Sequence, residues 1–151
     1  MMKPTPKGWP RLSTAIYYDD AVQAIDWLCR AFGFEVRLKV EGEGGRIEHS
    51  ELVFEDALVM VSQSGLKPKL PKFPRGASPA SLGGANTQSV MIFVDSADAH
   101  HERARAAGAS IVDEPRLHDY GADYWADRSY GALDLEGHLW WFTERVRDPQ
   151  S

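Results

Sequence analysis

The sequence predicts an α+β fold in which two βαβββ modules form curved mixed sheets around a hollow. Two similar segments, Ser13–Asp19 and Ser89–Asp95, share Ser, Ile and Asp at an offset of 76 residues. Each is followed by a helical pattern that ends at a glycine, Gly33 or Gly108, and then by three strand-like runs. The chain of 151 residues therefore reads as a single domain, with modules at about 10–63 and 88–145 and a linker at about 64–87.

Each module opens with a strand and a helix. The opening runs are rich in β-branched and aromatic residues, which favour a buried strand. Asp19 and Asp95 follow where a helix N-cap belongs. The first helix has one apolar stripe, at Ala21, Ala24, Ile25, Leu28 and Phe32. The second has a slimmer one, at Ala97, Ala104 and Ala107. Glycine suits the position after each helix because it reaches left-handed geometry without penalty.

Three strand-like runs complete each module. The first module has Phe34–Val40, Arg46–Glu55 and Ala57–Gln63. The second has Ser110–Val112, Tyr124–Asp134 and His138–Glu144. Two half-sheets of this kind cannot each bury both faces, so we expect them to pair, with helices on one side and a hollow on the other. The linker has no apolar period and predicts a long connection over a cavity or an interface.

The composition excludes several classes of function. The hydrophobic share is 43%, the charged share 26% and the net charge −5, as in an ordinary globular domain. No clustered basic face predicts nucleic-acid binding. The lone cysteine, Cys29, excludes an internal disulfide. No apolar run is long enough for a membrane span, and no leader pattern opens the chain, so we expect a cytoplasmic protein.

Three phrases carry a resemblance to a known family. They are Asp20–Glu35, with its Phe32-Gly33-Phe34 exit, Val94–Ala109, and Arg128–Trp140. In this order they resemble the glyoxalase/bleomycin-resistance/dioxygenase proteins of the vicinal oxygen chelate superfamily, over roughly Leu12 to Glu144. The resemblance implies two βαβββ modules, a small-molecule ligand and a homodimer. It is specific to the superfamily rather than to one activity.

Members of this superfamily that perform chemistry typically hold a divalent metal with His, Glu or Gln from the first and last strands of each module. The matching positions here are Ser13, Met60, Ser89 and Trp141. Neutral serine is a poor ligand, and Met and Trp offer no hard donor. Shifting the register by one residue recovers no ligand set. We therefore expect no conventional metal centre and no cofactor, while a divalent metal at another site stays open.

Strand alternation sorts the side chains of the predicted sheets into two faces. The helix side receives Leu12, Ile16, Tyr18, Val90, Ile92, Val94, Trp140 and Phe142. The hollow side receives Ser13, Ala15, Tyr17, Met60, Ser62, Ser89, Met91, Phe93, Leu139 and Trp141. This mostly apolar wall suits an uncharged or planar ligand. The alternative is that these side chains simply fill a small barrel.

The predicted ligand-binding residues come from this wall and from an aromatic segment before the C-terminal hairpin. They are Ser13, Tyr17, Met60, Ser89, Met91, Phe93, Trp125, Arg128 and Trp141. Arg128 could clamp a ligand carboxylate through two hydrogen bonds. The alternative for Arg128 is a structural pair with an aspartate in the hairpin.

Several histidines have a possible chemical role. His49 and Glu51 stand two residues apart on one strand face, where they could form a general base or a pair of metal ligands. The alternative is a solvated edge strand. His100 and His101 are expected on the solvated face of the second helix.

Three functional hypotheses follow. The first is a metal-independent binding protein for a small apolar or aromatic molecule. The second is a metal-dependent lyase, isomerase or dioxygenase-like enzyme with a relocated site near His49 and Glu51. The third is an interaction or regulatory module without catalysis.

Overall fold

The computed structural model describes residues 1–150. Over this range the chain forms β1 (Thr14–Tyr18), α1 (Ala21–Phe32), β2 (Glu35–Glu41), β3 (Ile47–Phe54), β4 (Ala57–Gln63), β5 (Val90–Phe93), α2 (Ala97–Ala106), β6 (Ser110–Asp119), β7 (Ala126–Leu133) and β8 (Leu139–Arg147). These strands make two four-stranded sheets, ordered β1–β4–β3–β2 and β5–β8–β7–β6. Each sheet is mixed, because β1 is parallel to β4 and β5 is parallel to β8. The predicted α+β fold of two βαβββ modules is confirmed.

The N-cap of each helix lies one residue later than predicted, so neither Asp19 nor Asp95 is the cap. The N-cap of α1 is Asp20, whose carboxylate accepts the N–H of Gln23 at 3.0 Å. The N-cap of α2 is Ser96, whose hydroxyl accepts the N–H of Ala99 at 3.2 Å. Asp19 instead lies before the helix, where its own N–H donates to the Glu136 carboxylate at 2.6 Å. Neither helix in residues 1–150 is long and apolar enough to cross a membrane.

In the second module, β6 and β8 extend further than predicted, and β7 is shorter. β6 continues from Ser110 to Asp119, although its sequence contains Pro115. Its pairing with β7 shifts register on either side of Asp113, so Pro115 falls within an irregular stretch. Because β6 is an edge strand, the missing N–H of Pro115 interrupts no central ladder. β7 begins at Ala126 rather than Tyr124, and β8 runs to Arg147.

The predicted sorting of faces agrees with burial, with one exception. The side chains expected against the helices are almost wholly buried at Ile16, Tyr18, Ile92, Trp140 and Phe142. Leu12 was expected among them but is 87% exposed. Its placement was wrong because β1 begins only at Thr14, so Leu12 precedes the pleated part of the chain.

An aromatic cluster joins the modules on the helix side. Phe32 ends α1, and its ring centroid lies 4.7 Å from that of Phe142 and 5.3 Å from that of Trp140, both on β8. Ring pairs at these separations add a specific attraction to the burial of apolar area. The helix side therefore holds the shared core. The opposite face of each sheet, which we call its open face, is left for other contacts.

The prediction of a solvated helix face for His100 and His101 is wrong. The Nε2 of His100 lies 2.9 Å from the carbonyl oxygen of Phe32 and its Nδ1 lies 2.6 Å from the Tyr130 hydroxyl. A carbonyl can only accept, so the proton is on Nε2 and Nδ1 accepts from Tyr130. Burial lowers the pKa of His100, which favours this neutral form. His101 is only 8% exposed, with its Nε2 2.9 Å from the carboxylate of Glu114. Both histidines are therefore structural.

A buried carboxylate makes a second joint between the modules. Asp134, in the turn before β8, accepts the hydroxyl of Tyr18 at 2.6 Å and the indole N–H of Trp140 at 3.0 Å through one oxygen. Its other oxygen accepts the backbone N–H groups of Glu136 and His138, each at 3.0 Å. Tyr18 belongs to the first module, so this one side chain ties β1 to the hairpin of the second.

Candidate ligand-binding site

The four positions that hold metal in related enzymes occupy equivalent places in the two modules. Met60 lies opposite Ala15 of β1, and Trp141 lies opposite Met91 of β5. Ser13 and Ser89 each come one residue before their strand begins. A thioether, an indole and two neutral hydroxyls do not fit a divalent cation. Within residues 1–150, no three His, Cys, Asp or Glu side chains come together as a metal-binding group either.

The N-terminal segment lies over the open face of the first sheet. Residues 5–11 border a cleft together with Val53 and Leu58, which are paired across β3 and β4. Leu58 points away from the core side of its strand, yet it is only 4% exposed. A contact from Arg37 of β2 to Trp9, with the guanidinium 5.0 Å from the ring centroid, ties the segment to the sheet. This part of the first open face is therefore covered by the chain itself.

His49 and Glu51 do lie side by side, as predicted. The His49 Nε2 is 3.1 Å from one oxygen of Glu51, and the other oxygen accepts Arg37 Nε–H at 2.7 Å. The hydrogen bonds from His49 and then from Arg37 hold the pKa of Glu51 below its usual value. A carboxylate held ionised by a neighbouring guanidinium is a poor proton acceptor. The pair is engaged in an ion-pair network rather than presented to a substrate.

The open face of the second sheet carries four of the predicted residues. Met91 and Phe93 alternate with the buried Ile92 on β5, and they are 52% and 51% exposed. Trp141 lies opposite Met91, and its ring covers Gly131 of β7, where an added Cβ would come within 2.8 Å of the ring. Trp125 lies just before β7 and closes the far end of this surface. Together these side chains make an apolar, aromatic platform.

Two charged residues that sequence reasoning missed lie at the end of this platform. The guanidinium carbon of Arg145 is 5.4 Å from the Phe93 ring centroid and 5.5 Å from that of Trp125. Its Nε donates to Asp127, the residue opposite it on β7, at 2.6 Å. This hydrogen bond raises the pKa of Arg145, so its charge is permanent. Extending the alternation of β8 beyond Glu144 would have placed Arg145 on the same face as Trp141.

Arg128 does not join the other predicted ligand-binding residues. Its Nε and Nη2 donate to the two carboxylate oxygens of Asp98 on α2, at 2.9 and 2.8 Å. Because α2 packs on the helix side of the sheet, Arg128 points away from the open face. Arg128 is therefore paired with an aspartate, as in the alternative, but this aspartate lies on α2 rather than in the hairpin.

Tyr17 lies apart from the aromatic platform, under the linker. A cavity of about 280 Å³ separates the edges of the two sheets at this point, and it is roofed by residues 75–88. The linker backbone at Gly76 presses on the Tyr17 ring, since an added Cβ would lie 2.0 Å from Cδ1. His138 closes another wall and donates its Nε2–H to the carbonyl of Tyr17 at 2.7 Å.

Comparison with known proteins agrees with this architecture. The sequence model described as "Glyoxalase/Bleomycin resistance protein/Dioxygenase superfamily" matches residues 12–142. The uncharacterized protein Mb0911c of Mycobacterium bovis is 33% identical over 141 residues, covering 92% of this chain and 86% of the relative. TioX from Micromonospora sp. ML1 is also 33% identical; its crystal structure superposes with a TM-score of 0.70, covering 91% of this chain and 99% of TioX.

More distant structures share the fold. A glyoxalase/bleomycin resistance protein from Streptomyces sp. CB03234 is 17% identical, with a TM-score of 0.59 and coverage of 86% of this chain and 96% of its own. At this identity the likeness shows the fold alone. The family match over residues 12–142 spans both modules. The chain therefore belongs to the glyoxalase/bleomycin resistance protein/dioxygenase superfamily.

Proposed function

We propose that this protein binds a small planar aromatic or apolar molecule on the open face of its second sheet, without a metal centre. The observation that carries the proposal is the exposure of Met91 and Phe93 beside Trp141 on one strand pair. Large apolar side chains that stand together half-exposed on a rigid sheet are typical of a binding surface rather than of a core.

The donor chemistry supports metal independence. Ser13, Met60, Ser89 and Trp141 supply no carboxylate or imidazole where related enzymes bind metal. The platform can still hold a ligand through stacking and burial, which need no cation. Burying about half of a large apolar side chain is worth on the order of 1 kcal/mol.

A homodimer is part of the proposal. Proteins that this chain resembles place a shared ligand groove between two subunits, and the second sheet here leaves its apolar face uncovered within one chain. Light scattering coupled to size-exclusion chromatography should give twice the chain mass of 16.8 kDa. A monomer at all concentrations tested would contradict the shared groove but leave the platform of one chain intact.

Binding can be measured with the uncharged fluorescent probe N-phenyl-1-naphthylamine. We expect saturable binding that Met91→Ser and Phe93→Ser each weaken by about fivefold. Leu117→Ser is a matched control, because Leu117 is 55% exposed but lies opposite Arg128, on the helix side of the sheet. Equal losses in all three variants would refute the assignment of the platform.

Metal analysis tests whether the protein binds its ligand without a metal ion. Elemental analysis of the purified protein should show less than stoichiometric Zn, Ni, Mn and Fe, and dialysis against a chelator should leave probe binding unchanged. A stoichiometric metal that supports turnover would overturn the proposed function.

The alternative is a metal-dependent lyase, isomerase or dioxygenase-like enzyme built around His49 and Glu51. The 3.1 Å contact between the two side chains favours it, while the ion pair between Arg37 and Glu51 opposes it. An activity screen of the unaltered protein and of His49→Ala and Glu51→Gln tests whether these two residues form a catalytic site. If both variants keep any activity that is found, this alternative fails.

A further inference from the structure

Arg145 is fixed in position by its neighbours. Its Nε–H is bonded to Asp127 at 2.6 Å, and the Asp127 side chain is only 13% exposed. The rings of Phe93 and Trp125 lie near the guanidinium, at 5.4 and 5.5 Å. A guanidinium held by a shielded carboxylate and two aromatic rings loses little further freedom when it binds a ligand.

The outer edge of this guanidinium is the part left for a ligand. Nη1 contacts the Asp148 carboxylate at 3.1 Å, but the Asp148 side chain is 80% exposed and lies beyond the end of β8. Nη2 has no acceptor within residues 1–150. An exposed ion pair of this kind contributes little free energy. An incoming anion can therefore replace Asp148 at Nη1 and also engage Nη2.

We propose that the Nη1–Nη2 edge of Arg145 is a carboxylate subsite, and that the protein selects planar aromatic carboxylates. This inference rests on the proposed function, because the ring of such an acid would lie on the apolar platform. Two parallel N–H···O bonds from one guanidinium match the two oxygens of a carboxylate. Phe93 lies beside Arg145, and Met91 is two residues, about 6.6 Å, further along β5. A fused two-ring acid spans this distance.

The sign of the ligand charge follows from the same contacts. A cationic ligand would find the cation position at the rings of Phe93 and Trp125 already occupied by Arg145. Displacing Arg145 would leave the shielded carboxylate of Asp127 without its partner, which is strongly unfavourable. A neutral ring binds the platform but gains nothing at Arg145. The order of affinity is therefore carboxylate, then neutral, then cation.

Three probes of one shape test this order by calorimetry: 2-naphthoate, 2-naphthalenemethanol and 2-naphthylmethylammonium. We expect 2-naphthoate to bind at least tenfold more tightly than the alcohol. Arg145→Gln should abolish that preference, so that the variant binds 2-naphthoate no more tightly than the alcohol. Equal affinities in the unaltered protein, a preference that survives Arg145→Gln, or tighter binding of the ammonium would each overturn the subsite. The alcohol would still bind in those cases, and the proposed function would stand.

A second variant tests the carboxylate subsite without altering a residue of the platform. Asp148→Asn removes the exposed competitor for Arg145, so we expect it to strengthen 2-naphthoate binding several-fold and leave the alcohol unchanged. Glu102→Gln is the matched control, because it removes the same charge from an exposed position on α2. An equal gain in both variants would show a general charge effect and overturn the subsite. Failure of all three probes to bind would overturn the proposed function as well.

Discussion

Removing the Asp134 carboxylate should weaken the contact between the two modules and lower the free energy of unfolding. In Asp134→Ala, the hydroxyl of Tyr18 and the indole N–H of Trp140 lose their acceptor while both side chains stay buried. An unpaired buried donor costs about 1–3 kcal/mol, so the two together should lower the free energy of unfolding by about 2–6 kcal/mol. Typical domains have only about 5–15 kcal/mol in total. We expect a folded but markedly weakened protein.

A double-mutant cycle with Tyr18→Phe isolates the contact between the modules. In the unaltered protein, Tyr18→Phe removes a hydrogen bond to a carboxylate and should lower the free energy of unfolding by about 1.5–3 kcal/mol. In the Asp134→Ala background it removes an unpaired hydroxyl and should be neutral or stabilising. The coupling energy should therefore be at least about 1.5 kcal/mol.

Urea unfolding followed by circular dichroism measures all four proteins. Tyr17→Phe is a suitable control, since the hydroxyl of Tyr17 has no acceptor within residues 1–150 and its loss should change stability little. Should Asp134→Ala be too unstable to purify, Asp134→Asn should give a smaller coupling energy, because its remaining oxygen can still accept the Tyr18 hydroxyl. If Tyr18→Phe lowers stability equally with and without the carboxylate, Asp134 is not the joint.

Three further predictions follow. Burial lowers the pKa of His100 in the folded protein, so on acidification the unfolded chain is protonated at a higher pH than the folded one. As the pH is lowered from about 6.5, the free energy of unfolding should therefore decrease by up to about 1.4 kcal/mol per pH unit, until the pKa of the folded state is reached. Urea midpoints of His100→Gln should lack this decrease, and an equal decrease in the variant would contradict the prediction. Gly76→Ala should push the linker off the Tyr17 ring and speed tryptic cleavage of the linker, and adding Tyr17→Ala should reverse this; unchanged cleavage would refute the close contact. Gly131→Ala should displace the Trp141 ring, lower stability by about 1–3 kcal/mol and shift tryptophan emission, whereas an unaltered spectrum would show that the ring does not lie on this strand.

The doubled module could be predicted because local chemistry alone produces its parts. The repeated strand–helix–glycine order, the apolar stripe of α1 and the alternation of β1 and β5 each depend on neighbours in sequence. The ends of the strands were harder to predict from the sequence. The predicted strand ended at Val112, whereas β6 continues past Pro115, because an edge strand with register shifts accommodates a proline. Leu12 has an apolar side chain, but its burial depended on where β1 begins.

The roles of individual polar residues depended on contacts between distant parts of the chain. His100 is adjacent to polar residues on α2, so its sequence indicated a solvated face. Only the packing of α2 against the end of α1 puts the Phe32 carbonyl within reach. The surroundings of Arg128 and Arg145 could likewise not be predicted from their neighbours in the sequence. Both lie on strands and both have an aspartate partner, but one faces α2 and the other faces the aromatic platform.

The two modules have the same topology but different open faces, and this difference is the reason for which we propose the second sheet as the ligand site. In the first sheet, Arg37 binds Glu51 on one side and contacts Trp9 on the other, so the N-terminal segment is held across the face and covers Leu58. In the second sheet, Arg145 of β8 is held by the shielded carboxylate of Asp127, and its other carboxylate partner is the exposed Asp148. In the first sheet, residues 5–11 border the Val53–Leu58 pair, and the linker lies against Tyr17. The platform of the second sheet has no such cover within residues 1–150, so the proposed ligand, a ring that stacks on aromatic side chains and carries a carboxylate, has its complement there.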